Sequence, residues 1–132
     1  WTFEEKQKFI KEHLDDNNKL LILAEISESV IAIASFTGGK TKRIKHIGEF
    51  GILVLRKYWS LGIGSILTET IIDWAQKSTV VRKISLKVRV DNERAIKLYK
   101  RFGFTTEGII SRQLLIGEQF YDAYLMGLEV DP

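Results

Sequence analysis

Two stretches of this chain combine residue types with spacings that suit chemistry. The first reads Val54-Leu55-Arg56-Lys57-Tyr58-Trp59-Ser60-Leu61-Gly62-Ile63-Gly64-Ser65. A strand-like run ends there, a glycine-containing loop follows, and a helical pattern begins. Such a junction aims several backbone N–H groups at one point, backed by the positive end of a helix dipole. Gly62 and Gly64 would let a ligand approach the main chain closely. A pyrophosphate suits that cradle. A tight strand–helix connection, with glycines for geometry only, would use the same residues. The second stretch runs from Val90-Asp91-Asn92 through Ala95, Leu98 and Tyr99 to Gly103-Phe104. Asn92 suits a helix cap, and Tyr99 suits a core aromatic with its hydroxyl at the rim.

Two nucleotide motifs are approached and missed. A Rossmann fingerprint needs Gly or Ala three residues after the second glycine, where this chain has Leu67, and no acidic residue closes a following strand at the required distance. Ala34-Ser35-Phe36-Thr37-Gly38-Gly39-Lys40-Thr41 is nearly a phosphate-binding P-loop. A P-loop must open a helix, and Lys42 to Gly48 lack an apolar helical stripe. The expected structure there is a solvated basic hairpin loop.

The elements that must position these residues follow from periodicity. Thr2 and Glu5 form a capping-box pattern, and Phe3, Phe9, Ile10 and Leu14 predict a helix over 2–14. Asp15 to Asn18 break it. Residues 20–26 and 30–36 are apolar runs around Ser27-Glu28-Ser29, a hairpin expected to be buried on both faces. Residues 44–56 read as extended. Ile63, Ile66, Leu67, Thr70, Ile71, Trp74 and Ala75 predict a helix over about 62–78. Ile84, Leu86, Val88 and Val90 alternate with polar residues as a strand does. Ala95, Leu98, Tyr99 and Phe102 mark a short amphipathic helix, stopped by Gly103. Residues 104–116 and 120–130 read as strands around a Gly117-Glu118 turn. The order αβββαβαββ predicts one mixed sheet, an α/β (α+β) fold, in a single domain over 1–132.

Composition agrees. The 132 residues hold 45% hydrophobic and 28% charged residues, one proline and no cysteine. The absence of cysteine excludes disulfides, thiolate zinc sites and a cysteine nucleophile, and it fits a reducing, cytoplasmic setting. No metal site is expected. No apolar run approaches the roughly 20 residues of a membrane span, so no membrane partner is expected. The formal charge of +3 falls short of a nucleic-acid binder's usual stripe.

Taken together, the two stretches carry a resemblance. Trp59-Ser60-Leu61-Gly62-Ile63-Gly64 resembles the Arg/Gln-x-x-Gly-x-Gly/Ala motif of the GNAT N-acetyltransferase superfamily. Asn92, Ala95, Leu98, Tyr99, Gly103 and Phe104 match its second motif, and Tyr121 to Leu128 are similar to its last strand. The likeness covers nearly the whole chain and is similar to the ribosomal-protein and small-amine branch. It departs in two places. Trp59 stands at the Arg/Gln position, and the family's first strand and part of its first helical region have no evident counterpart.

The resemblance implies transfer of an acetyl group from acetyl-CoA to a primary amine by direct attack, without a covalent enzyme intermediate. It implies that backbone groups of Ile52, Leu53 and Val54 pair with the pantetheine arm in a gap between the fourth and fifth strands. Trp59, Ser60, Leu61, Gly62, Ile63, Gly64 and Ser65 would hold the pyrophosphate, and Asn92 would contact the coenzyme or order its channel. An N–H near Val54 would polarise the thioester carbonyl. Tyr99 would stabilise the leaving thiolate through a hydrogen bond, because a phenol of pKa about 10 is a weaker acid than a thiol of about 8.5. The fifth-strand glutamate that serves some relatives as base is Lys87 here. Glu49 is the base candidate in its place, with His46 behind it. Asp122 is expected to serve strand pairing. The acceptor is a small-molecule amine or a peptide N-terminus, and a homodimer is possible in this family. Two other readings compete. One is a catalytically silent CoA-binding sensor. The other is a nucleic-acid module using Lys40, Lys42, Arg43, Lys45 and His46, ranked lower because no exposed aromatic accompanies them; the same loop could steer an acidic substrate.

Overall fold

The computed structural model describes residues 10–16 and 18–131. Its strands are β1 (Ile10–Asp16), β2 (Lys19–Ile26), β3 (Ser29–Gly38), β4 (Ile47–Val54), β5 (Lys83–Arg89), β6 (Thr105–Ile116) and β7 (Gln119–Glu129). Two helices, α1 (Ile63–Lys77) and α2 (Glu93–Arg101), and a 3-10 turn at Arg56–Tyr58 complete it. The sheet order is β1-β2-β3-β4-β5-β7-β6. All neighbours are antiparallel except β4 and β5. Parallel neighbours need a long crossover, and α1 supplies it.

Both helices cover one face. Ile63, Leu67, Ile71 and Ala75 of α1 join Ile22, Ala34, Phe36, Phe50, Ile84, Leu86 and Met126 of the strands in one core cluster. The Phe36 and Trp74 rings meet edge to face at 5.3 Å, a geometry that adds to simple burial. Thr68, fully buried, satisfies its hydroxyl by donating to Gly64 O at 2.7 Å. Among the described residues no helix is long and apolar enough to cross a membrane.

Three sequence expectations are corrected. The helix over 2–14 is not found where it can be checked: residues 10–16 form β1, paired antiparallel with β2, while residues 2–9 lie outside the described residues. Pairing satisfies the backbone groups that β2 would otherwise leave open at a sheet edge; Asp15 and Asp16 end β1, and Asn18 lies in the turn before β2. The β2–β3 hairpin is not buried on both faces. Leu20, Ile22, Ala34 and Phe36 are inside, whereas Leu21 and Ile33 on the other face are each 37% exposed and Leu53 of β4 is 69% exposed. The extended segment over 44–56 is shorter, because 44–46 belong to a turn and 56–58 to the 3-10 turn. The remaining elements match to within one to three residues, and Ser27 and Glu28 form the β2–β3 turn with φ of 50° and 70°, the sign that a two-residue hairpin loop requires.

The core tolerates little at Gly48. A Cβ there would overlap the ring of buried Phe36. Gly48→Ala is expected to cost about 1–3 kcal/mol, read as a lower denaturation midpoint in urea. Gly108→Ala, whose Cβ would meet nothing within 4 Å, should shift stability by less than about 0.5 kcal/mol.

Candidate active site

The site begins where two strands stop pairing. β4 and β5 are in register only at Ile47↔Lys83, Gly48↔Ile84 and Glu49↔Ser85. Beyond that point β4 follows β3 to Val54, while β5 follows β7 to Arg89. Leu55 N–H donates to Ile31 O at 2.9 Å. The alternation of an antiparallel ladder then directs the peptide groups of Leu53 to β3 and those of Ile52 and Val54 into the gap. Of the three strand residues expected to offer backbone to a ligand, two face the gap and Leu53 does not.

The loop after β4 closes one end. Trp59 Nε1 donates to Val54 O at 2.8 Å, tying the loop to the strand. Ser60 and Gly62 both take left-handed backbone, with φ of 66° and 82°. For Ser60 that conformation carries a steric cost; for Gly62 it carries little. Gly62 is the N-cap of α1 and provides no side-chain hydrogen bond. The first N–H groups of this 15-residue helix therefore lack the capping that most helices have, an arrangement suited to an anion.

A cavity of about 620 Å³ runs from the gap to this loop and to α2. Ile52, Leu53, Val54, Trp59, Ser60, Gly62, Ile63, Gly64, Ser65, Asn92 and Tyr99 all line it. Leu61 does not: it packs against the core. Asn92 also caps α2, its Oδ1 accepting from Ala95 N at 3.2 Å.

Three residues missed at the sequence level join them. Arg94, Lys97 and Arg101 of α2 line the same cavity. Arg94 donates to Ser60 Oγ at 2.9 Å and Arg101 to Ser65 Oγ at 2.7 Å. The Arg94 guanidinium lies 5.1 Å from the Trp59 ring centroid. Positive charge absent from the loop at Trp59 thus arrives from the facing helix. The signal was legible: positions 94, 97 and 101 share one helix face, the face that carries Leu98 toward the cavity.

Tyr99 sits between Phe50 and Phe104, with edge-to-face contacts at 6.1 and 5.8 Å. It is 7% exposed. Among the described residues no hydrogen-bond partner reaches its hydroxyl, yet no buried side-chain polar atom is left unsatisfied. The hydroxyl is therefore open to the cavity that Tyr99 lines. Burial pushes its pKa up to about 12.

Glu49 lies outside the cavity, on the face of the sheet away from the helices. Its carboxylate meets Lys87 Nζ at 3.7 Å, across the point where the strands part. His46 is half-buried, and its carbonyl accepts from Arg82 N and Lys83 N. Asp122 accepts from Arg112 N at 3.0 Å, the strand-pairing role expected of it. No helix follows the P-loop look-alike; residues 39–46 return the chain from β3 into β4.

The sequence profile of the acetyltransferase (GNAT) family matches residues 1–104. This chain belongs to the GNAT family. It is 32% identical over 105 residues to the L-amino acid N-acetyltransferase AaaT of Escherichia coli strain K12, a match spanning 80% of this chain but only 65% of that protein. An acetyltransferase of the GNAT family from Streptococcus pneumoniae superposes with a TM-score of 0.83 at 37% identity, covering 88% of this chain and 69% of that one. YncA of Salmonella typhimurium, solved with acetyl-CoA, shares the fold with a TM-score of 0.78 at 19% identity, over 98% of this chain and 70% of that one. The GNAT fold expected from the motifs is the fold observed.

The raised Tyr99 pKa has a consequence for stability. Its folded-state value of about 12 exceeds the roughly 10 of an unfolded chain. The folded state thus holds the proton longer, and stability is lost as pH rises from about 10 through 12. Tyr99→Phe should flatten that alkaline decline, measured as urea midpoints of the two proteins at stepped pH.

Proposed function

We propose that this chain transfers the acetyl group of acetyl-CoA to a primary amine in a ternary complex. The observation that carries the reading is the meeting, in one cavity, of an unpaired strand edge, an uncapped helix start and the Tyr99 hydroxyl. The chemistry of these groups fits the coenzyme. The gap offers peptide groups of Ile52 and Val54 to an amide-bearing arm. The N–H groups at Gly62 to Ser65, with Arg94 and Arg101, suit phosphates. When bound, acetyl-CoA supplies an activated acyl carbon and a thiolate leaving group. Val54 N–H polarises the thioester carbonyl. Tyr99 stays protonated at every working pH and donates a hydrogen bond to the leaving sulfur.

The acceptor reaches the thioester from the face of the sheet that the helices leave uncovered. Glu49 stands on that face at the opening and takes the proton that the attacking amine must lose. Its relation to AaaT favours a small amine such as an amino acid, with a peptide N-terminus as the other acceptor of the same chemistry. Two copies associate through the β6–β7 hairpin, whose Ile109, Leu115, Ile116 and Phe120 are 49–64% exposed; light scattering should give the dimer mass, and Leu115→Lys with Ile116→Lys the monomer mass.

Calorimetric titration of acetyl-CoA tests the reading directly. Wild-type protein should bind, and Gly62→Asp with Gly64→Asp should abolish binding without unfolding the chain. Arg94→Ala and Arg101→Ala should each weaken it about 10-fold, the loss of one charge-assisted contact of about 1.5 kcal/mol. Free-thiol release with a panel of amino acids and short peptides should then fall at least 10-fold in kcat for Tyr99→Phe with KM little changed. Coenzyme binding with no turnover on any amine would leave the silent-sensor reading standing instead.

A further inference from the structure

Most arginines of this protein, and several of its lysines, have internal partners. Lys83 pairs with Glu107, Lys87 with Glu49 and Arg89 with Asp91. Arg94 and Arg101 donate to serine hydroxyls, and Arg56 and Arg112 lie over aromatic rings. The turn between β3 and β4 differs. Lys40, Lys42, Arg43 and Lys45 occur within six consecutive exposed residues. Among the described residues, none of the four meets a carboxylate, a ring or a side-chain acceptor. The turn itself contains no acidic residue. Four like charges side by side repel one another, and soluble surfaces ordinarily intersperse the two signs.

The backbone of this turn is nevertheless held firmly. Asn18, 6% exposed, donates its side-chain amide to Gly39 O at 3.0 Å and to Lys45 O at 3.2 Å, bracketing the cations from beneath. Gly38 N donates to Asn18 O at 2.8 Å, and Gly39 N to Ile47 O at 2.9 Å. Two successive turns, Ile44 N to Thr41 O and Ile47 N to Ile44 O, shape the interior. His46 O is fixed by Arg82 N and Lys83 N. Gly39 packs so closely on the Ile44 carbonyl that a Cβ would overlap it. A buried amide thus fixes the backbone that carries four unneutralised cations, which lowers the backbone ordering cost of binding.

We propose that residues 39–46 are a docking site for the phosphate backbone of a nucleic acid. An anionic lipid surface would gain only about 1 kcal/mol per cation, and the turn has Ile44 alone to add an apolar contact. A protein partner would favour aromatic anchors and few lysines, the reverse of what is present. The missing aromatics weigh against base stacking and leave contact with phosphates, which needs neither apolar area nor stacking and carries no sequence preference. The turn stands at the start of β4 and the cavity loop at its end, about 26 Å away over eight residues. Docking there leaves the cavity open, and the inference does not depend on acetyl transfer.

Fluorescence anisotropy with a short fluorescein-labelled single-stranded RNA, at stepped potassium chloride, tests it. Four phosphate contacts give a log–log salt slope of about −3, or about 50-fold weaker binding between 50 and 200 mM salt. The variant Lys40→Ser, Lys42→Ser, Arg43→Ser, Lys45→Ser should abolish binding while its melting curve and acetyl-CoA titration stay unchanged. Lys42→Arg should retain it. No binding at low salt, or a quadruple variant that binds as wild type does, overturns the proposal. Tighter capture by phosphatidylserine vesicles or by polyglutamate than by RNA overturns the choice of nucleic acid.

Discussion

The site depends on an interaction that the sheet declines to make. β4 and β5 are parallel neighbours for three residue pairs and then separate, each staying with its other partner. Unmade ladder bonds inside a protein are costly. Here they are tolerated because the exposed peptide groups line a solvent-accessible cavity, and because Trp59 takes the Val54 carbonyl. The α1 crossover packs on the core beneath the parted strands, so the opening sits on a packed base. Everything else at the site is arranged around this opening, from the helix start at one end to Tyr99 at its side.

Much of this was legible in the sequence, for reasons that can be traced. Gly62, with φ of 82°, carries a backbone requirement that only glycine meets without cost, and Asn92 carries a capping requirement, so both report local geometry. The alternation of Ile84, Leu86 and Val88 reports one buried face. What failed was short or ambiguous. Residues 10–14 fit a helical stripe, but pairing with β2 won, because long-range backbone pairing outweighs weak local propensity. Continuous apolar runs in β2 and β3 suggested two buried faces; the sequence does not say that the second face is left uncovered. The loss of Arg or Gln at Trp59 looked like missing charge, since the compensation comes from Arg94 and Arg101, 35 and 42 positions later in the chain.

Charge is distributed by function across the molecule. At the cavity, cations on α2 are held by serines, positioned yet not neutralised. On the open face of the sheet, Lys83, Lys87 and Arg89 are matched by carboxylates. At the β3–β4 turn the cations are neither matched nor covered. One net charge of +3 thus conceals three different electrostatic environments, and only the placement of partners separates them.

Trp59 links two of these regions in a further way. Its indole N–H is fastened to Val54, while its ring centroid is 5.7 and 5.1 Å from the guanidinium carbons of Arg56 and Arg94. The loop that would meet phosphates and the strand that would meet the reactive end of the ligand are therefore clamped at a set separation. The clamp acts as a ruler. A ligand that is to meet both the strand and the loop must match that separation, so its length would enter recognition alongside the groups at its two ends.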